Sequence, residues 1–256
     1  MTQTIGLAAI VVFLYMCGFF VASMVLKDNG IADVAWGGGF ILVAVATFLQ
    51  YVDAHPRQLL VLLLACAWGV RLVAYIRARN RGQGEDFRYR RWREEWGDHF
   101  VLRSFLQIYM LQGALLVVVA APIWVVNHDP GGALGWLDML GVLVWALGFA
   151  FEALGDWQLL QFLQEPANEG KIMEAGLWKY TRHPNYFGEA TLWWGMFLIA
   201  LWAPNVWVAI VSPLTIDFLL LKVSGIPILE KRWEGNPEFD DYKRRTNALV
   251  PWFPRK

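Results

Sequence analysis

Apolar residues in this chain gather into long runs, and polar residues fill the gaps between them. Crossing a bilayer as a helix takes about 20 mostly apolar residues. Seven stretches qualify: 5–26, 31–52, 58–77, 104–127, 136–163, 185–203 and 205–224. The pattern predicts an all-α polytopic membrane bundle of about seven transmembrane helices, built as a single membrane domain over 1–256 with a tail at 225–256. The fifth run turns polar at Glu152, so its last turns are expected to leave the hydrocarbon. The last two runs are divided only by Ala203-Pro204-Asn205, and Pro213 interrupts the seventh. Ile5 to Leu26 is too long for the apolar region of a cleaved leader and has no basic stretch before it, which predicts a retained helix.

Composition supports the same class. Charged residues are 17 % of the chain, below the roughly 25 % of a soluble domain, and hydrophobic residues are 57 %. Several of the 15 Trp fall near the ends of apolar runs, where amphipathic rings favour the headgroup layer. A formal net charge of zero leaves no bulk field to attract nucleic acid. Cys17 and Cys66 sit inside apolar runs, form no CxxC and read as small buried hydrophobes.

Basic residues give an orientation. The stretch 77–103 holds eight Arg, 164–184 holds three cations, the tail from Lys222 holds eight, and Lys27 follows the first run. The remaining two of the 22 Lys and Arg are Arg57, in an otherwise bare loop, and Arg71, inside the third run. Basic and bare loops thus alternate, which predicts an outside N-terminus and a cytoplasmic C-terminus. A bacterial inner membrane and an endoplasmic reticulum membrane suit this equally.

Ionisable groups at membrane depth are costly and usually face a cavity or a partner. Asp33, Arg71, Glu152, Asp156, Glu189, Asp217 and Lys222 are such groups, and all but Asp217 fall clearly in the cytoplasmic half. Glu152 and Asp156, four apart, share a helix face. Two readings stand: ion pairing alone, for example Arg71 with Asp33 or Glu152, or a shared polar cavity. Gly37-Gly38-Gly39 allows close approach by another helix or by a flat ligand. The loop 77–103 interleaves Glu85, Asp86, Glu94 and Glu95 with its arginines, and Phe87, Tyr89, Trp92 and Trp96 suggest that it packs back on the protein or lies in the interface. The tail 227–245 is predicted as a short amphipathic helix broken at Asn236-Pro237.

Tyr180-Thr181-Arg182-His183-Pro184-Asn185-Tyr186-Phe187-Gly188-Glu189 is the most informative segment. Pro184 suits a first helical turn, where no N–H is needed. A helix N-terminus with Arg182 beside it is a phosphate or carboxylate cradle, or else a basic loop meeting lipid headgroups. No Walker loop and no G-x-G-x-x-G after a strand is present. His55, His99, His128 and His183 are scattered, so no metal site is expected.

Arg182-His183-Pro184-Asn185-Tyr186-Phe187-Gly188-Glu189 resembles the hallmark of the steroid 5α-reductase-like membrane reductases, relatives of the sterol C14 reductases. Asn80-Arg81-Gly82, Asp156 and the ending Tyr242…Leu249-Val250-Pro251-Trp252-Phe253 extend the resemblance from the second helix to the C-terminus. It implies a seven-helix reductase that uses NADPH on a steroid-like or isoprenoid-derived lipophilic enone entering from the bilayer. Membrane lipids would surround it. By position, the resemblance implies cofactor binding by Glu152, Asp156, Asn185, Arg71, Tyr75, Asn80, Arg81 and Tyr242. Arg182, His183, Tyr186 and Glu189 belong to the same motif and are taken with them. It further sets Asp33 near the family's carbonyl-holding Glu and Trp68 near its Tyr, so these two are the candidate catalytic positions. An Asp against an apolar wall would stay protonated and donate a hydrogen bond. The alternative resemblance is to the isoprenylcysteine carboxyl methyltransferases. It rests on Arg-His-Pro-x-Tyr-x-Gly with Glu230 and Arg232 before Tyr242 and Pro251, and would imply S-adenosylmethionine.

Overall fold

The computed structural model describes residues 1–51, 54–82 and 84–255, with the Phe87 side chain outside the described residues. All regular structure among the described residues is helical. The order is α1 (Thr2–Leu26), α2 (Ile31–Phe48), α3 (Pro56–Asn80), α4 (Phe87–Trp96), α5 (Phe100–Arg103), α6 (Leu111–Val119), α7 (Ala121–His128), α8 (Trp136–Gln164), α9 (Pro184–Ala200), α10 (Val206–Ala209), α11 (Val211–Phe218), α12 (Ile226–Lys231) and α13 (Pro237–Arg245). Among the described residues, six helical segments are long and apolar enough to cross a membrane. The stretch expected at 185–203 is α9, 17 residues long. At 1.5 Å per residue it spans about 25 Å. The protein is a polytopic helical membrane bundle.

Two of the expected spans are not simple helices. The fourth begins in a π-helical stretch, Ser104–Met110, and breaks at Ala120 just before Pro122. Its last piece, α7, buries every residue from Ala121 to Asn127, so its apolar character serves packing rather than lipid contact. The seventh is assembled from α10, α11 and a π-helical turn, Leu219–Val223. Pro213 is accommodated in the first turn of α11, where its missing N–H costs nothing.

The chain divides into two compact units, Met1–Gly135 with Ala200–Val211, and Trp136–Ile199 with Ser212–Lys256. In the first unit, α1 buries Thr4, Ala8, Val12 and Met16, one residue per turn along a single stripe. Between apolar helices in lipid, close packing and polar contacts replace the hydrophobic drive. Glycines supply that closeness here. A Cβ on Gly37 would sit 3.1 Å from the Gly69 carbonyl of α3, one on Gly38 2.4 Å from the Tyr15 hydroxyl, and one on Gly39 2.2 Å from Leu116. The three-glycine run therefore serves helix packing. Fully buried Arg57 opens α3 and donates to the Gly132 carbonyl at 3.0 Å, to Ala133 at 2.8 Å and to Pro130, fixing the 130–133 turn.

In the second unit, α8 and α9 cross on a glycine spine with seven-residue spacing. Gly141, Gly148 and Gly155 of α8 meet Gly195, Gly188 and the start of α9. A Cβ on Gly148 would lie 2.6 Å from the Gly188 carbonyl, and one on Gly195 2.7 Å from the Gly141 carbonyl. The spine sets the height of α9 against α8, and with it the polar residues on both.

Candidate functional site

The polar residues form two sets, one in each unit. In the first unit, Lys27 ends α1 in a left-handed conformation (φ 54°), and the chain turns at once into α2. The amide of Asn29, in that turn, donates to Glu85 Oε1 at 2.9 Å. Glu85 also takes two hydrogen bonds from Arg93, at 2.7 and 3.0 Å. Burial pushes the Glu85 carboxyl up, but Arg93, the Asn29 amide and Arg90 outweigh it and hold the pKa below its ordinary value. The next residue, Asp86, caps α4 by accepting from the Arg88 amide at 2.9 Å. The first turn of α4 then delivers two side chains to Asp33. Arg88 Nη2 lies 2.7 Å from Asp33 Oδ2, and the Tyr89 hydroxyl donates to Oδ1 at 2.7 Å. Arg79 Nη2 approaches Oδ2 to 3.8 Å.

Asp33 is thus an ion-paired carboxylate and does not face an apolar wall. Arg88 and Arg79 are among its partners. Trp68, the other candidate catalytic position, is 1 % exposed and packs edge-on against Phe40 with ring centres 5.2 Å apart. The Tyr75 ring lies beneath two guanidiniums, Arg71 at 5.9 Å and Arg79 at 5.8 Å. Asn80 accepts from Arg79 Nε at 3.1 Å, and Arg81, just past α3, is exposed.

In the second unit, Glu152 and Asp156 lie on one face of α8, each 3 % exposed. Gly155 allows the start of α9 to come close: a Cβ there would stand 3.1 Å from the Asn185 amide nitrogen and 3.1 Å from Pro184. Asn185 Nδ2 consequently reaches Asp156 Oδ1 at 3.1 Å. The other side of that amide, Oδ1, is buried and finds no hydrogen-bond partner among the described residues. Buried polar atoms are rarely left so. Glu189, half-buried, follows one turn later on α9.

Arg182 does not serve as a free anion binder. It donates to Glu230 Oε1 from Nε at 2.8 Å and lies 2.8 Å from it through Nη2. It also donates to the carbonyls of Lys243, at 3.3 Å, and Thr246. His183 Nε2 stands 3.2 Å from the same Glu230 oxygen, and the His183 ring stacks on Tyr186 at 5.3 Å. Lys243 Nζ reaches Glu230 Oε2 at 3.2 Å. Burial pushes the His183 pKa below the usual histidine value and Arg182 adds to this, while Glu230 opposes both. The tail is stitched to the loop before α9: the Arg182 amide donates to the Asn247 carbonyl at 2.9 Å, the Trp252 amide to Tyr180 at 2.9 Å, and the Thr181 hydroxyl to Leu249 at 2.7 Å. The Tyr242 hydroxyl donates to the Trp178 carbonyl. Its donor is turned into the protein.

Sequence reading missed Arg88 and Tyr89 as partners of Asp33, and Glu230 as the hub of the second set. The signal for the first two was an Asp cap placing positions 88 and 89 in one helical turn. For Glu230 it was an acid stranded among Lys231, Arg232 and the Arg182-His183 pair.

The family profile described as "Protein of unknown function (DUF1295)" matches residues 19–246. The chain belongs to this family. Among curated proteins, this DUF1295 member is similar to 3-oxo-5-alpha-steroid 4-dehydrogenase 1 of Rattus norvegicus, 28 % identical over 115 residues, 44 % of this chain and 41 % of that protein. The Mus musculus protein of the same name is 30 % identical over 115 residues, 44 % and 42 %. That of Bos taurus is 26 % identical over 122 residues, 46 % and 44 %. The chain thus spans less than half the length of these relatives. At modest identity, the family match and these relatives support the steroid 5α-reductase-like resemblance, and they lend none to the methyltransferase alternative.

Proposed function

We propose that this membrane protein is an oxidoreductase that reduces the conjugated C=C of a steroid-like or isoprenoid-derived lipophilic enone with NADPH. The observation that carries the reading is the Asp156–Asn185 pair. Asp156 accepts from the Asn185 amide, which leaves the buried Asn185 Oδ1 as an acceptor without a partner among the described residues. An amide oxygen so placed suits the carboxamide N–H of a nicotinamide, and Glu152 one turn earlier on the same face extends the polar patch. When bound, NADPH supplies the hydride. The protein's part is to hold the ring and exclude water. Arg182 is held by Glu230 and by the carbonyls of Lys243 and Thr246, so the reading does not call on it as a phosphate ligand. For Arg71, Tyr75, Asn80 and Arg81 the support is the resemblance alone.

For Asp33 and Trp68 as catalytic positions the support is the resemblance alone. The distribution of Lys and Arg supports an active side that faces the cytoplasm. NADPH should raise the melting temperature of the detergent-purified protein, by mass action on the folded state, while NADH and S-adenosylmethionine should not. Asp156→Ala and Asn185→Ala should abolish the rise. Asp33→Asn should spare it and slow enone reduction. A wild-type protein that ignores NADPH, or an Asn185→Ala variant that still responds fully, refutes the assignment.

A further inference from the structure

We infer that Glu230 is a positioning residue that locks His183 in its Nε2–H form, so that His183 Nδ1 is held as a second buried acceptor at the start of α9, ready for a hydroxyl or N–H donor of the cofactor. The inference rests on the NADPH reading and adds to it a residue which that reading does not use.

The geometry fixes the tautomer. Glu230 receives two donors of Arg182 on Oε1 and Lys243 on Oε2, so it is a carboxylate and can only accept. The His183 Nε2 atom 3.2 Å from Oε1 must therefore carry the hydrogen. A neutral imidazole with Nε2–H has Nδ1 as an acceptor. His183 is 6 % exposed, and its Nδ1 has no hydrogen-bond partner among the described residues. A hydrogen on Nδ1 would be a buried donor with nothing to meet, which burial disfavours. Asn185 Oδ1, two residues on, is in the same condition. The side chains of His183, just before α9, and Asn185, in its first turn, thus offer acceptors, the reverse of what a phosphate requires. They suit instead a group rich in donors, such as the carboxamide and ribose hydroxyls next to a nicotinamide. Stacking on Tyr186 at 5.3 Å holds the ring plane, and Glu230 holds its rotation.

The test uses the full chain in detergent with 15N-labelled histidine. One- and multiple-bond proton–nitrogen spectra distinguish the two neutral tautomers. Wild type should show His183 as Nε2–H with a bare Nδ1 before any ligand is added. Glu230→Gln, which keeps a neutral acceptor for Arg182, should yield a mixture of tautomers and bind NADPH about tenfold more weakly. In wild type, NADPH should shift the Nδ1 resonance as it gains a donor. Because Glu230→Gln could unfold the hub, a second pair isolates the ring. His183→Gln keeps the Glu230 hydrogen bond and loses the Nδ1 acceptor. His183→Asn keeps a polar atom near Nδ1 and loses the Glu230 bond. His183→Gln should bind NADPH the more weakly of the two at similar melting temperature. An unchanged tautomer in Glu230→Gln, or equal binding by the two His183 variants, overturns the inference while leaving NADPH binding intact. Absence of NADPH binding in wild type overturns the functional reading instead, and the ligand-free tautomer then decides the role of Glu230 by itself.

Discussion

Gly188→Ala is the sharpest test of the architecture behind the second polar set. The added Cβ would lie 2.4 Å from the Glu152 amide nitrogen, 2.5 Å from the Gly148 carbonyl and 2.7 Å from Glu152 Cβ. Two of these are backbone atoms of α8, which cannot swing aside, so the helices must part. Forcing a methyl group into such a contact costs about 1–3 kcal/mol. The same change in an open helix has the opposite sign, since Ala is favoured over Gly by about 0.5–1 kcal/mol. Gly18 in α1, with nothing within 4 Å of its Cβ position, provides that control. With about 2–4 °C per kcal/mol for a chain of this size, Gly188→Ala should melt about 2–12 °C below wild type. Gly18→Ala should melt at or slightly above wild type. Scanning fluorimetry in one detergent at equal protein concentration reads both. Parting the helices also stretches the 3.1 Å Asp156–Asn185 bond, so the NADPH-induced rise should vanish with the stability. If Gly188→Ala melts with the Gly18→Ala control, the close crossing of α8 and α9 is wrong.

Three further outcomes follow from other parts of the structure. Tyr89→Phe removes one hydrogen bond to a charged acceptor, about 1.5–3 kcal/mol at most, and should lower the melting temperature accordingly; melting equal to wild type would refute that. Arg57→Met should be destabilising by at least about 1–3 kcal/mol, because the carbonyls of Pro130, Gly132 and Ala133 lose a buried donor; equal melting to wild type would refute that. Stability should fall on acidification from about pH 6.5, histidine's ordinary value. The His183 pKa is depressed by burial, so its contribution is complete above that value and is lost as pH falls toward the folded one, when the unfolded chain takes up a proton that the buried ring refuses. Glu85, also depressed, adds a second loss below its ordinary 4.5. Melting curves against pH check both, and His183→Gln should remove the first.

Local signals carried far in this chain. Apolar run length gave the membrane class and most helix positions, and Pro184 after Arg182-His183 marked the first residue of α9 where the structure begins it. Glu152 and Asp156 share a face because a four-residue step is nearly one turn. Pro213 marked the seventh run as interrupted, but the break at Ala120 was not legible, since hydropathy averages over a kink that one Pro produces. The partners of Asp33 were hidden for another reason: Arg88 and Tyr89 are 55 and 56 residues away, and only the docking of α4 through Glu85 brings them back. The spine of Gly141, Gly148, Gly155, Gly188 and Gly195 was present as a seven-residue spacing, although glycine spacing alone does not say which helix it faces. Arg182 beside a helix start read as an anion site because its protein acceptors, Glu230 and the carbonyls near 246, lie 48 to 64 residues further on.

The stitching of the tail to Tyr180, Thr181 and Arg182 has a consequence for the order in which the protein is made. Thr181 leaves the ribosome 67 residues ahead of Ala248, whose carbonyl its hydroxyl binds. The hydrophobic helices can therefore enter the bilayer long before the start of α9 has its neighbours, and the hub at Glu230 closes only when residues 242–252 arrive. A nascent chain halted between α11 and α13 would be inserted and immobile in the membrane yet chemically unfinished, so loss of its distal coding sequence should leave normal amounts of membrane-embedded protein with no grip on a nucleotide.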